Sequence, residues 1–159
     1  MGNNENFYTV RGYEILNKED KILTKSMEDY LEMIYRKSLK KEEVRINTLA
    51  KSLNVKPPST TKMVQKLTQL GFLDYKKYGS IKLTDRGRKM GGFLLKRHNI
   101  IQEFLKNLDV KNELLVNIEL IEHNITKEAL NSIQILNKFF SDNPCILENF
   151  NEYKDDFIE

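Results

Sequence analysis

KPPSTTKMVQKLTQLGFLDYKKYGSIKLT, residues 56–84, decides the fold. Pro57 and Pro58 suit a first helical turn, where the missing N–H costs nothing. Met63, Val64, Leu67 and Leu70 then recur at helical spacing, and Gly71 reads as the C-cap. Two β-type runs follow, at 72–76 and 81–83, around a turn containing Gly79. Upstream, Asn47 reads as the N-cap of a short helix, TLAKSL, ending near Asn54-Val55. Before that, SMEDYLEMIYRKSL places Met27, Tyr30, Leu31, Ile34, Tyr35 and Leu39 on one helical stripe, with Ser26 as its cap. KKEEVR between them reads as a solvated connection. Helix, helix, turn, helix and hairpin is the order of a winged helix-turn-helix.

The third helix of such a unit enters the major groove. Here it starts with Ser59, Thr60 and Thr61, short hydroxyl residues at an end whose free N–H groups favour phosphate. Lys62, Gln65 and Lys66 follow within two turns, Gln65 suited to adenine and Lys62 to guanine or phosphate. The hairpin tip, Lys76-Lys77-Tyr78, is expected to touch backbone or minor groove and to supply position. Charge agrees. Residues 24–90 carry 16 Lys/Arg against 7 Asp/Glu, whereas residues 91–159 carry 7 against 12. A basic front half suits a polyanion. The bland alternative is an amphipathic helix and an ordinary hairpin on a lysine-rich surface.

Downstream, Thr84 caps a long helix, DRGRKMGGFLLKRHNIIQEFLKNL. Gly91-Gly92 inside it costs about 1 kcal/mol per glycine, which points to close packing or a bend. Further helices are expected over 111–123 and, capped by Thr126, over 126–140, with Pro144 forbidding continuation. The fold class is therefore mostly α: a winged helix-turn-helix with a two-stranded wing, then an all-α domain. The expected divisions are an N-terminal arm (1–23), a DNA-binding domain (24–90), a helical domain (91–143) and a C-terminal tail (144–159). No run approaches the ~18 apolar residues of a membrane span, and no secretory signal opens the chain. The single cysteine, Cys145, fits a reducing cytoplasm.

A second pattern lies on the helices. Asp29 and Glu32 are three residues apart and share a face. In IELIEHNI (118–125), Glu119, Glu122 and His123 fall within roughly 100° of arc beside the Ile118/Ile121/Ile125 stripe. His98 lies on the long helix. If these faces meet, four carboxylates and two imidazoles converge, and so many uncompensated charges do not stay buried. A divalent metal answers this, and an oxygen/nitrogen set without thiolate suits Mn²⁺ or Fe²⁺. Each residue has an ordinary alternative. Asp29 could complete a capping box with Ser26, Glu32 could pair with Arg36, Glu119 and Glu122 could face water, and either histidine could simply be hydrogen-bonded.

Five motifs in this order, SMEDYLEMIY, VKPPSTTKMVQKL, DYKKYGSIKLT, LLKRHNII and IELIEHNI, resemble the DtxR-type metal-dependent transcriptional repressors, and within them the manganese-responsive branch. The match runs from about Leu23 to about Phe140. The resemblance implies a homodimer that binds palindromic operator DNA when charged with metal and represses metal-uptake genes. It implies a binuclear Mn²⁺ (or Fe²⁺) site made by Asp29, Glu32, His98, Glu119, Glu122 and His123. In the iron branch a methionine and a cysteine stand where this chain has Asp29 and Glu119, and a glutamate of an ancillary site stands where it has Gln102. Manganese is therefore the expected ion. The 19 residues after Phe140 are too few for the SH3-like domain of many iron-type members. The competing readings are a winged-helix regulator gated by a small organic effector or partner, and a metal-dependent hydrolase. No HExxH, GxSxG or phosphate-cradling glycine loop supports an enzyme.

Overall fold

The computed structural model describes residues 23–158; the arm expected over 1–23 lies almost wholly outside them. The order is α1 (Lys25–Leu39), α2 (Ile46–Ser52), α3 (Pro57–Gln69), β1 (Leu73–Tyr75), β2 (Ile81–Leu83), α4 (Asp85–Asn107), α5 (Leu114–Glu122), α6 (Lys127–Asp142) and α7 (Pro144–Ile158). The two strands pair antiparallel, with Leu73 opposite Leu83, Asp74 opposite Lys82 and Tyr75 opposite Ile81. Leu73, Ile81 and Leu83 point into the core, and Asp74 and Lys82 point out.

Several boundaries differ from those expected, each for a local reason. Helix α1 is capped by Thr24 and not Ser26. The Met27 amide donates to the Thr24 hydroxyl at 3.4 Å, and the Thr24 amide to the Met27 sulfur at 3.5 Å. Helix α2 begins before Asn47, because the Thr48 hydroxyl accepts from the Arg45 amide at 3.1 Å. Helix α5 begins at Leu114, since Glu113 before it takes a left-handed backbone at φ 52. Thr84 and Thr126 cap α4 and α6 as expected, accepting from Gly87 and Ala129. The largest departure is the tail. Pro144 starts helix α7, the first-turn role of proline rather than its helix-breaking one. Lys154 on α7 donates to the Leu108 carbonyl at the end of α4 (2.7 Å), and the rings of Phe140 and Phe150 lie 6.4 Å apart.

Two hydrophobic clusters result. The first joins Met27, Leu31 and Ile34 of α1 to Leu49, Val64, Leu67, Phe72 and Leu94. The second joins Ile100, Ile101 and Leu105 of α4 to Ile118 and Leu130. Helix α4 therefore runs through both, and the boundary expected at 90/91 falls inside it. The glycines allow this. A Cβ on Gly91 would sit 2.6 Å from the Tyr35 Cβ, and one on Gly87 would strike the Phe72 carbonyl. Close packing, not a helix end, explains their presence.

Candidate metal centre

Helices α1, α4 and α5 meet where the polar pattern required. Helix α1 supplies Asp29 and Glu32, α4 supplies His98, and α5 with its C-cap supplies Glu119, Glu122 and His123. Their donor atoms form two groups, Asp29/Glu119/Glu122/His123 and Glu32/His98/Glu122, each spanning no more than 4.8 Å. All six expected residues are brought together, and Glu122 belongs to both groups. Its Oε2 lies 3.0 Å from His98 Nδ1, and its Oε1 lies 3.8 Å from His123 Nε2. His98 Nδ1 is also 3.7 Å from Glu32 Oε1. His123 Nε2 is 2.9 Å from Asp29 Oδ1 and 3.7 Å from Glu119 Oε2.

The residues fit a divalent cation. Ligands about 2.1 Å from an ion and roughly at right angles stand about 3 Å apart, as His98 with Glu122 and His123 with Asp29 do, one pair in each group. Glu122 is 2% exposed, with His98 as its hydrogen-bond partner, so it does not face water. Burial pushes the Glu32 carboxyl above its ordinary range and the Glu122 charge adds to this, against the opposing Arg36. Asp29 and Glu119 remain open to solvent at 41% and 47% side-chain exposure, giving one group a path to bulk ions. The carboxylates of Asp29, Glu119 and Glu28 around the His123 ring push it up to about 11, against burial. His123 in turn, outweighing burial, holds Glu119 below its ordinary value.

The ordinary alternatives divide. Asp29 completes no capping box, because Thr24 is the cap. Glu32 does pair with Arg36, at 2.6 Å, while being 8% exposed and facing His98. Two contributors were not apparent from sequence. Glu28 Oε2 accepts from His123 Nδ1 at 2.9 Å and from Arg97 Nη2 at 2.8 Å. Burial raises the Glu28 carboxyl, but its hydrogen bonds from His123 and Arg97 and their charge prevail and lower it. The available signal is an arginine whose neighbours one helical turn away, Phe93, Leu94, Ile100 and Ile101, are all apolar.

On the winged unit, Ser59, Lys62, Gln65 and Lys66 are exposed along α3, and Thr61 is partly exposed, with its hydroxyl on the Pro57 carbonyl. Lys76, Lys77 and Tyr78 form an exposed hairpin tip, with the Lys77 ammonium 5.0 Å from the Tyr78 ring centre. Thr60 requires a correction. It is fully buried, and its hydroxyl meets Tyr30 at 3.3 Å and the Lys56 carbonyl at 3.3 Å, so its side chain packs the core and offers nothing to a groove.

A winged reading head sharing one long helix with a cation-fitting cluster defines a class, the metal-dependent DNA-binding regulators. Residues 22–81 match the "Iron dependent repressor, N-terminal DNA binding domain" family, and residues 84–151 match "Iron dependent repressor, metal binding and dimerisation domain". Over 132 residues the chain is 38% identical to the HTH-type transcriptional regulator MntR of Lysinibacillus sphaericus, covering 82% of this chain and 95% of that one. The manganese regulator SloR superposes with a TM-score of 0.62 at 27% identity, covering 69% of this chain and 52% of that one. A manganese-dependent transcriptional repressor complexed with manganese gives 0.63 at 25% identity, covering 71% and 53%. The chain spans about half the length of these two solved structures. It belongs to the iron-dependent repressor family of metal-dependent transcriptional regulators. Among the described residues, no helix is long and apolar enough to cross a membrane.

Proposed function

We propose that this chain is a cytoplasmic Mn²⁺-responsive repressor that binds a palindromic operator as a homodimer and acts by binding rather than turnover. Asp29, Glu32, His98, Glu119, Glu122 and His123 would hold the metal, as a binuclear centre whose two donor groups both include Glu122. Residues 24–90 form the reading head and lend Asp29 and Glu32 to the metal centre, residues 91–143 form the rest of the metal-binding and dimerisation part, and metal-uptake genes are the regulated class. The observation that carries this reading is the convergence of all six groups into two clusters sharing one carboxylate.

A bound divalent cation supplies the positive charge that lets the carboxylates stay close. The chain's own residues do the rest. One face of α1 offers Asp29 and Glu32 to the site. Another packs on the reading head, where Tyr30 reaches Thr60 on α3 at 3.3 Å. Drawing α1 onto α4 and α5 therefore fixes α3. In a dimer that sets the separation of two reading helices against successive half-sites. Moving such an equilibrium from 1:99 to 99:1 needs about 5.5 kcal/mol of preference for the tied arrangement.

The test is titration of chelator-treated protein with Mn²⁺, Fe²⁺, Zn²⁺ and Co²⁺, recording ion stoichiometry together with affinity for a duplex selected from random sequence by the Mn²⁺-loaded protein. Two Mn²⁺ per chain and metal-dependent duplex affinity are expected. Equal affinity with and without metal would refute the switch and revive the organic-effector reading.

A further inference from the structure

The least expected polar arrangement in the core is the chain Arg97–Glu28–His123. It crosses three helices: Arg97 on α4, Glu28 on α1 and His123 at the end of α5. One oxygen, Glu28 Oε2, takes both the 2.8 Å bond from Arg97 and the 2.9 Å bond from His123 Nδ1. The three side chains are 9%, 14% and 9% exposed, so the bonds are shielded from water. The opposite ring nitrogen, His123 Nε2, faces Asp29, Glu119 and Glu122. Glu28 itself joins neither donor group.

We infer that Glu28, held in place by Arg97, is a positioning residue that keeps the His123 proton on Nδ1 and so aims the Nε2 lone pair at the cation. An imidazole has two nitrogens, and the one that binds metal is set by the hydrogen bond the other makes. A carboxylate is the strongest such partner, and a carboxylate anchored by a buried guanidinium cannot swing away to ligate the ion itself. Arg97 is well placed for this anchoring role. Its Nη2 is engaged by Glu28, while its buried Nε has no hydrogen-bond partner, so the Glu28 contact is what compensates its charge. The arrangement also acts unequally on the two donor groups. It orients His123, which belongs to the group with Asp29 and Glu119, and its two hydrogen bonds involve neither Glu32 nor His98, which belong to the other.

This inference rests on the proposed metal centre, and the experiment separates the two. Mn²⁺ binding to wild type, Glu28→Ala and Glu28→Gln is followed by electron paramagnetic resonance, and the His123 ring is followed by ¹⁵N NMR in the zinc-loaded proteins. Wild type is expected to bind two ions and to show a slowly exchanging Nδ1 proton on His123. Glu28→Ala is expected to weaken one ion by about 10–100-fold, leave the other within a few-fold, and lose the slow Nδ1 proton. Glu28→Gln keeps an acceptor oxygen and should retain the Nδ1 proton with a smaller loss. A merely structural ion pair would weaken both ions alike and leave the ring signal unchanged. That result, or wild-type affinity for both ions in Glu28→Ala, would overturn the inference. Should Glu28→Ala fail to fold, loss of the slow Nδ1 proton in Glu28→Gln would overturn it instead. If wild type binds no divalent ion at all, the metal-centre reading itself fails, and the inference with it.

Discussion

Glu122 is almost without solvent, and its two oxygens face different histidines. If it bridges two ions, removing its charge should affect both. Glu122→Gln is expected to lower Mn²⁺ stoichiometry from two toward zero, whereas Glu32→Gln should remove one ion and spare the other. Atomic-emission counting of bound metal after gel filtration checks this. A Glu122→Gln protein that still holds two ions would exclude the bridge. Thr60 gives a contrasting case. Its buried hydroxyl serves Tyr30 and the Lys56 carbonyl. Thr60→Val should therefore cost about 1 kcal/mol of stability in urea unfolding. The salt dependence of duplex binding should stay unchanged, and a shifted salt slope would mean that Thr60 faces the nucleic acid after all. The difference between these two residues shows what a sequence can express. Glu119, Glu122 and His123 were legible because helical spacing puts them beside an isoleucine stripe. The burial of Thr60 was not, because a hydroxyl residue at a helix start looks the same whether it faces a groove or a tyrosine thirty positions upstream. Glu28 was hidden by its partners, Arg97 and His123, which lie 69 and 95 positions away.

Among the elements, α4 bears on both halves of the fold, and its glycines are where α1 presses closest. Gly91→Ala would put a methyl 2.6 Å from the Tyr35 Cβ. Overpacking costs about 1–3 kcal/mol, and an approach to both Cβ and Cγ of Tyr35 within 3 Å puts this site toward the upper end, above the roughly 1 kcal/mol that alanine returns through helix propensity. A lower Tm by calorimetry is the expected result. Since the displaced element carries Asp29 and Glu32, Mn²⁺ affinity should fall with it. A variant as stable as wild type would show that α1 and α4 are not packed this tightly. The sequence announced the close approach through the cost of two consecutive glycines, but not which residue fills the space. Helix α7 is not legible in the sequence for a different reason. Proline ends helices and also begins them, and after Asn143 nothing local distinguishes the two roles. What decides is tertiary: Lys154 satisfies the Leu108 carbonyl and Phe150 lies near Phe140.

For the molecule as a whole, protons and metal compete for one set of groups, and the sign of the competition follows from His123. The carboxylates of Asp29, Glu119 and Glu28 raise its pKa from 6.5 to about 11. The stability it contributes there is therefore fully present below about pH 6.5 and lost as pH rises toward 11. Glu119 is shifted the opposite way, so its contribution is present above its ordinary value of 4.5 and lost as pH falls into acid. Metal reverses the demand on the ring, since a coordinating imidazole must be neutral. At neutral pH the free protein carries this proton and the loaded protein does not, so binding must expel it. The apparent Mn²⁺ affinity should then rise about tenfold per pH unit between pH 7 and 8.5. Calorimetric titrations in buffers of different ionisation enthalpy should return close to one proton released per chain from this residue. In His123→Ala the release should vanish and the pH slope flatten, with affinity already low. Wild-type binding that expels no proton, at a pH where the metal-free ring is charged, would mean that His123 stays protonated and is no ligand.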